Sequence, residues 1–303
     1  MDAPFDRISL GGGRAVELWC EDAVAGLARR LGTRRADVVV TSPPYNLGVR
    51  YRSYADARPR EQYLTWTGTV ADAVDGVLAR NGSFFLNIGG RPKDPWLPWD
   101  VAREVGKRFV LQNVVHWVKS IAIDRVYAGR GASLDRDLAL GHYKPLVSDR
   151  FLHGAHEYVF HFTRRGDVRL DRLAIGVPYQ DKTNIARWRR AGADRRCRGN
   201  TWFLPYSTIR ERARDRPHPA TFPPELPVWC LRLHGLDRVR LAVDPFLGIG
   251  SSAVAAARCG VNFVGFELDA EYLRVAAERV RAERSPVQRP RVVVPRRPKR
   301  SST

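Results

Sequence analysis

Apolar positions along the chain alternate between short continuous runs and longer stretches with helical spacing. Residues 16–20 read as a strand, after which Asp22 opens a short helix with apolar positions at Val24, Leu27 and Leu31. A second apolar run, Val38-Val39-Val40, leads directly into Thr41-Ser42-Pro43-Pro44-Tyr45-Asn46. Pro59 marks the start of a helix whose stripe of Tyr63, Trp66, Val70, Val74 and Val77 is predicted to end at Asn81-Gly82. Residues 83–88 form a short buried strand closed by Gly89-Gly90, and a helix is expected over about 99–107. Further strands are expected at 109–118 and 156–162, while 119–154 loses its periodicity and reads as loop or insertion. The stretch 164–216 is polar, aromatic and arginine-rich, without a sustained helix. Beyond it come a helix over about 225–234, a strand at 239–243, a glycine-bearing loop at 244–252, a helix to Cys259, a strand at 262–266 and a helix over about 270–282. This alternation predicts an α/β fold built on a mostly parallel sheet.

Composition narrows the class. With 303 residues and 44% hydrophobic content the chain can build a substantial core. No apolar run approaches the roughly 20 residues of a spanning helix. The opening MDAPFDRISL lacks the order of a secretion signal, so a soluble intracellular protein is expected. Four scattered cysteines, Cys20, Cys197, Cys230 and Cys259, have no paired spacing for a metal cage or a disulfide framework. Charge is the strongest signal: 51 Lys+Arg against 32 Asp+Glu give +19, a balance that favours polyanionic partners. Arginines cluster in 187–216 and 279–300, and the second cluster, interrupted by prolines, reads as a disordered basic tail.

Two stretches carry candidate chemistry. In the first, consecutive prolines hold the chain extended after a strand and keep the Pro43 carbonyl out of any helix. Ser42 and that carbonyl offer two hydrogen-bond acceptors beside the Tyr45 ring, a set that suits a planar heterocycle with an exocyclic amine. In the second, Gly248, Gly250 and Ala253 fit G-x-G-x-x-[G/A] between a strand and a helix, and Glu267 closes the next strand 19 residues after Gly248. That pattern alone serves a dinucleotide or S-adenosylmethionine equally. Asp244-Pro245-Phe246 places a carboxylate where a pyrophosphate would want bare amides, and Asp269 adds negative charge, which together favour a cationic, sulfonium-bearing cofactor. The loop after Asn46, with Tyr51 and Tyr54 among Arg50, Arg52 and Arg58, suits closure over nucleic acid.

In order along the chain, TSPPYN (41–46) and DPFLGIGSS (244–252) resemble the amino-methyltransferases of DNA, in the permuted class where the catalytic motif precedes the cofactor motif. GSFFLNIG (82–89) and HEYVFHFT (156–163) are similar to further family blocks, and HPATFP (218–223) resembles the block at the cofactor's methionine end. The resemblance implies a Rossmann-like methyltransferase sheet with an inserted target-recognition segment. Residues 1–163 would form the catalytic half, 164–216 the recognition segment, 217–282 the cofactor half and 283–303 the tail. It assigns Ser42, Pro43, Pro44 and Tyr45 to catalysis. Cofactor contacts would come from Asp22, Thr41, Asn46, His218, Pro219, Phe222, Asp244, Pro245, Phe246, Gly248, Gly250, Ser251, Glu267 and Asp269. At Asp22 the family's usual Gly-Asp is Glu21-Asp22 here. Arg50, Arg52, Arg187, Arg189, Arg190, Arg195, Arg196 and Arg198 are the candidate DNA contacts.

The implied reaction moves a methyl from S-adenosylmethionine to the N4 of a cytosine flipped out of duplex DNA, with no metal and no covalent enzyme intermediate. Ser at the first motif position resembles cytosine-N4 enzymes and Asp there goes with adenine-N6, which stays open. Methylation at cytosine carbon would need an attacking thiol, and the chain has no Pro-Cys dipeptide. A nicotinamide dehydrogenase would use 248–267 but leave the Ser42 turn and the charge without purpose. A DNA-binding protein without catalysis would explain the arginines alone. Monomer and homodimer are both compatible with the sequence.

Overall fold

The computed structural model describes residues 3–49, 54, 56–127, 134–141, 146–187, 194–205 and 221–284. The strands are β1 (Asp6–Gly11), β2 (Arg14–Cys20), β3 (Ala36–Thr41), β4 (Leu78–Ile88), β5 (Val110–Val118), β6 (Ser120–Ile123), β7 (Leu138–Gly141), β8 (His156–Thr163), β9 (Thr201–Phe203), β10 (Leu241–Asp244) and β11 (Asn262–Glu267). The helices are α1 (Ala23–Leu31), α2 (Arg60–Val77), α3 (Leu97–Val105), α4 (Thr183–Arg187), α5 (Glu225–His234), α6 (Ser251–Cys259) and α7 (Ala270–Arg284). Nine strands form one sheet in the order β1-β2-β11-β10-β3-β4-β8-β5-β9. Its pairings are parallel except β1–β2, β4–β8 and β5–β8. The protein is therefore α/β with a mostly parallel mixed sheet.

Alternation within the central strands gives the sheet two apolar faces. Val38 and Val40 of β3 point into one core with Phe85, Phe263 and the buried residues of α5, α6 and α7. Val39 points into the other, with Phe84, Leu86, Val264 and the residues of α1, α2 and α3. β3 lies between β10 and β4, so chain direction away from it reverses on its two sides, and a crevice opens beyond the carboxyl ends of β3 and β10.

Four local differences from the sequence expectation have physical causes. The Asn81-Gly82 turn signal ends no helix: α2 stops at Val77, and β4 already begins at Leu78. Ala36 pairs with Leu78 and Val38 with Ser83, so the intervening residues of β4 bulge out and consume that turn chemistry. Within 119–154, β6 and β7 pair as an antiparallel ladder rather than forming loop alone. β9, from the segment read as irregular, adds to the sheet edge parallel to β5 and buries Trp202 completely. Finally, β1 is a strand that the apolar pattern does not mark; it folds back on β2 through Gly12 and Gly13, both at positive φ. The tail beyond Arg284 lies outside the described residues.

Candidate active site

β3 delivers Thr41 and Ser42 to the crevice, and β10 delivers Asp244 beside them. The two turns are joined: the Thr41 hydroxyl donates to Asp244 Oδ1 at 2.6 Å, between residues 203 apart in the chain. Ser252 also donates to this carboxylate, and the Phe246 amide donates to Oδ1 at 2.9 Å. Burial pushes the Asp244 carboxyl up to about 6; the three donors favour its charge, and nearby Glu267 opposes it.

A single cavity is lined by Ser42, Pro43 and Pro44 from the first turn and by Phe246, Gly248 and Ser251 from the second. Asp22, Glu267 and Asp269 also line it, with aromatic wall from Tyr54, Trp66, Phe222 and Tyr272. Trp66 packs on Phe246 at 5.4 Å between centroids, and the Arg58 guanidinium lies 5.3 Å from the Trp66 ring. Gly248, at φ 53°, turns its amide onto Glu267 Oε2 at 2.9 Å, while Glu267 Oε1 accepts from the Leu268 and Asp269 amides. Burial raises the Glu267 carboxyl above its ordinary range, partly offset by those amides. Asp22 both caps α1, accepting from the Ala25 amide, and lines the cavity. Anionic groups beside aromatic surface fit a ligand that is part cation and part planar heterocycle, as S-adenosylmethionine is.

Several of the residues expected at the site stand outside the lining of this cavity. Asp244, expected to face a cationic ligand, lies wholly buried behind the cavity, its carboxylate spent on Thr41, Ser252 and Phe246. Thr41, Pro245 and Gly250 are likewise not among the residues that line it. Asn46, at φ 58°, clamps the following loop instead: its side chain bonds both the amide and the carbonyl of Arg58. Tyr45 does not line the cavity; its hydroxyl is tied to Ser42 Oγ at 2.8 Å and donates to Glu157 Oε2 at 2.9 Å. Arg195 and Arg198 spend donors on the carbonyls of Leu173 and Ile175, and Arg198 also stacks 4.0 Å from Trp229. Arg187 and Arg196 are exposed. Arg50, Arg52, Arg189, Arg190, His218 and Pro219 lie outside the described residues.

Of the cavity wall, Leu268 and Tyr272 lie outside every motif of the sequence, Thr221 lies within HPATFP (218–223), and Trp66 is legible there only as part of a helix stripe. Asn87 and Glu157 carry no signal of their own in the sequence, although they lie in the GSFFLNIG (82–89) and HEYVFHFT (156–163) stretches. Among the described residues no helix is long and apolar enough to cross a membrane, and no group of three or more His, Cys, Asp or Glu could hold a metal.

A sheet whose carboxyl edge gathers a glycine turn, an acid-closed neighbouring strand and a serine-proline turn around one cavity defines the nucleotide-cofactor class of α/β protein. Residues 36–278 match the family model of N6/N4 DNA methylases, and the chain belongs to this family of S-adenosylmethionine-dependent DNA methyltransferases. It is 23% identical over 247 residues to the Type II methyltransferase M.BglII of Bacillus subtilis, covering 79% of this chain and 62% of that one. It is 20% identical over 263 residues to the DNA adenine methyltransferase YhdJ of Escherichia coli K12, covering 86% and 80%. The solved PvuII DNA methyltransferase, cytosine-N4-specific, shares the fold with a TM-score of 0.62 at 18% identity, over 92% of this chain and 89% of that one.

Proposed function

We propose that the protein methylates the exocyclic N4 of a cytosine flipped from duplex DNA. The observation that carries this reading is that Ser42 and Pro43 share one cavity with Phe246, Gly248 and Glu267. S-adenosylmethionine supplies a methyl group already activated by its sulfonium. Glu267 holds the cofactor's ribose hydroxyls, Asp22 its adenine amine, and the aromatic wall its ring. Across the cavity, Ser42 Oγ and the Pro43 carbonyl accept the hydrogens of the target amine and draw its nitrogen toward a tetrahedral, nucleophilic shape. Among the described residues no protein donor is bonded to the Pro43 carbonyl, whereas that of Pro44 accepts from Tyr63 at 2.7 Å. Tyr45 flanks the place where the base enters.

A neutral hydroxyl at position 42, rather than a carboxylate, supports cytosine. The second reading, adenine N6, is favoured by the likeness to YhdJ. Incubating duplexes with protein and labelled cofactor, then weighing the modified nucleoside, distinguishes N4-methylcytosine from N6-methyladenine. Ser42→Ala is expected to lower methyl transfer by about 100-fold or more while cofactor affinity stays within about twofold.

A further inference from the structure

Behind Ser42 lies a half-buried polar cluster whose hydrogens can be counted. Lys119 Nζ donates to Glu157 Oε1 at 2.9 Å. Glu157 Oε2 receives the Tyr45 hydroxyl at 2.9 Å and Asn87 Nδ2 at 2.8 Å. Asn87 Nδ2 also reaches the Tyr45 oxygen at 2.6 Å, and the Ser42 and Tyr45 oxygens lie 2.8 Å apart. An ionised carboxylate only accepts, so the atom of Asn87 against Glu157 is its amino group, even though this leaves buried Asn87 Oδ1 without a partner. Both Asn87 hydrogens are then used, one on Glu157 and one on Tyr45, and the longer approach of Nδ2 to Ser42 Oγ at 3.4 Å makes Ser42 an acceptor there and leaves its own hydrogen to place. Tyr45 has one hydrogen, and Glu157 takes it. With Glu157 ionised and holding the Tyr45 hydrogen, the remaining bond runs from Ser42 to Tyr45.

We propose that Glu157, held by Lys119, is a positioning residue that sets this direction, so that Ser42 gives its hydrogen inward and meets the target amine with lone pairs alone. The inference rests on the amino-methyltransferase reading above. A protonated Glu157 would donate to Tyr45, Tyr45 would donate to Ser42, and Ser42 would turn its own hydrogen toward the amine it has to accept from. Burial opposes the charge on Glu157, but Lys119, Asn87 and Tyr45 outweigh it and hold the carboxyl below its usual range. Gly89 makes the packing possible: a Cβ there would stand 2.8 Å from Glu157 Cγ and 3.3 Å from the Tyr45 ring. Among the described residues Glu157 is flanked on β8 by His156 and Tyr158, with His116 against both rings; burial, His116 and Lys119 keep His156 in its neutral form at lower pH than usual.

The test follows kcat for methyl transfer to duplex DNA against pH in the full-length protein. Lys119→Met is expected to move the acid limb upward by about 1–3 pH units, with activity recovering at high pH. Adding Glu157→Gln should remove the moved limb, which identifies Glu157 rather than His156 or His116 as the titrating group. Lys119→Arg, which keeps the cation, should retain the parent profile and serves if the methionine variant fails to bind cofactor. A uniform drop at every pH in Lys119→Met, a moved limb that survives Glu157→Gln, or an altered profile in Lys119→Arg overturns the proposal alone. A parent protein that binds S-adenosylmethionine yet methylates no duplex overturns the DNA-methylation reading, and this inference with it.

Discussion

Asp244 shows how a single carboxylate can look like a ligand in sequence and serve as a strut in the fold. Its folded-state value near 6 lies above the ordinary 3.8, so unfolded chains lose this proton first as pH rises. The wild-type protein is therefore expected to lose stability between about pH 4 and 6, by about 2–3 kcal/mol from this group, and to keep that loss above pH 6. Asp244→Asn retains the shape without the charge. Its Tm should exceed that of the parent at pH 8 and match it near pH 4, which thermal denaturation at the two pH values checks. Ser42, Gly248 and Glu267 were legible because each lies in a compact motif with its own chemistry. Asn87 and Glu157 were not, because their partnership is created by the antiparallel register of β4 and β8, which pairs Ile88 with Tyr158 and brings their neighbours together.

Elements were readable wherever apolar spacing alone decides them. α5 occupies the expected 225–234, and the strand-to-helix turn before α6 falls at the expected glycines. That turn is also closely packed: a Cβ on Gly250, already at φ 81°, would stand 2.6 Å from the Ala276 Cβ of α7. Gly250→Ala is expected to destabilise the protein by about 1–3 kcal/mol and to weaken cofactor binding, measurable by denaturant titration and by calorimetry with S-adenosylmethionine. The segment 164–205 was legible only as composition. Its arginines divide by contact, and the contacts depend on where β9 docks. Arg198→Ala, losing a carbonyl bond and its stack on Trp229, should chiefly lower Tm. Arg187→Ala should leave Tm unchanged within the effect of an ordinary surface substitution.

For the molecule as a whole, a charge of +19 predicts binding to DNA that weakens steeply with salt, in proportion to the number of phosphates neutralised. If Arg187 and Arg196 neutralise phosphates, replacing either with alanine should lower the slope of log K against log salt by about 1, with the loss similar across unrelated duplexes. Filter binding over a salt series measures this. A slope identical to the parent's would remove these arginines from the interface.

The hydrogen bond from Thr41 to Asp244 makes neighbours of two strands that the ribosome delivers far apart, and Arg281 of α7 meets Asp6 of β1 at 2.7 Å. Sealing residue 284 to residue 5 with a short peptide, and opening the turn at Gly166, would give a chain that synthesises its glycine turn before its serine-proline turn. The same cleft should close, because what builds it is which strands lie side by side and not which is made first.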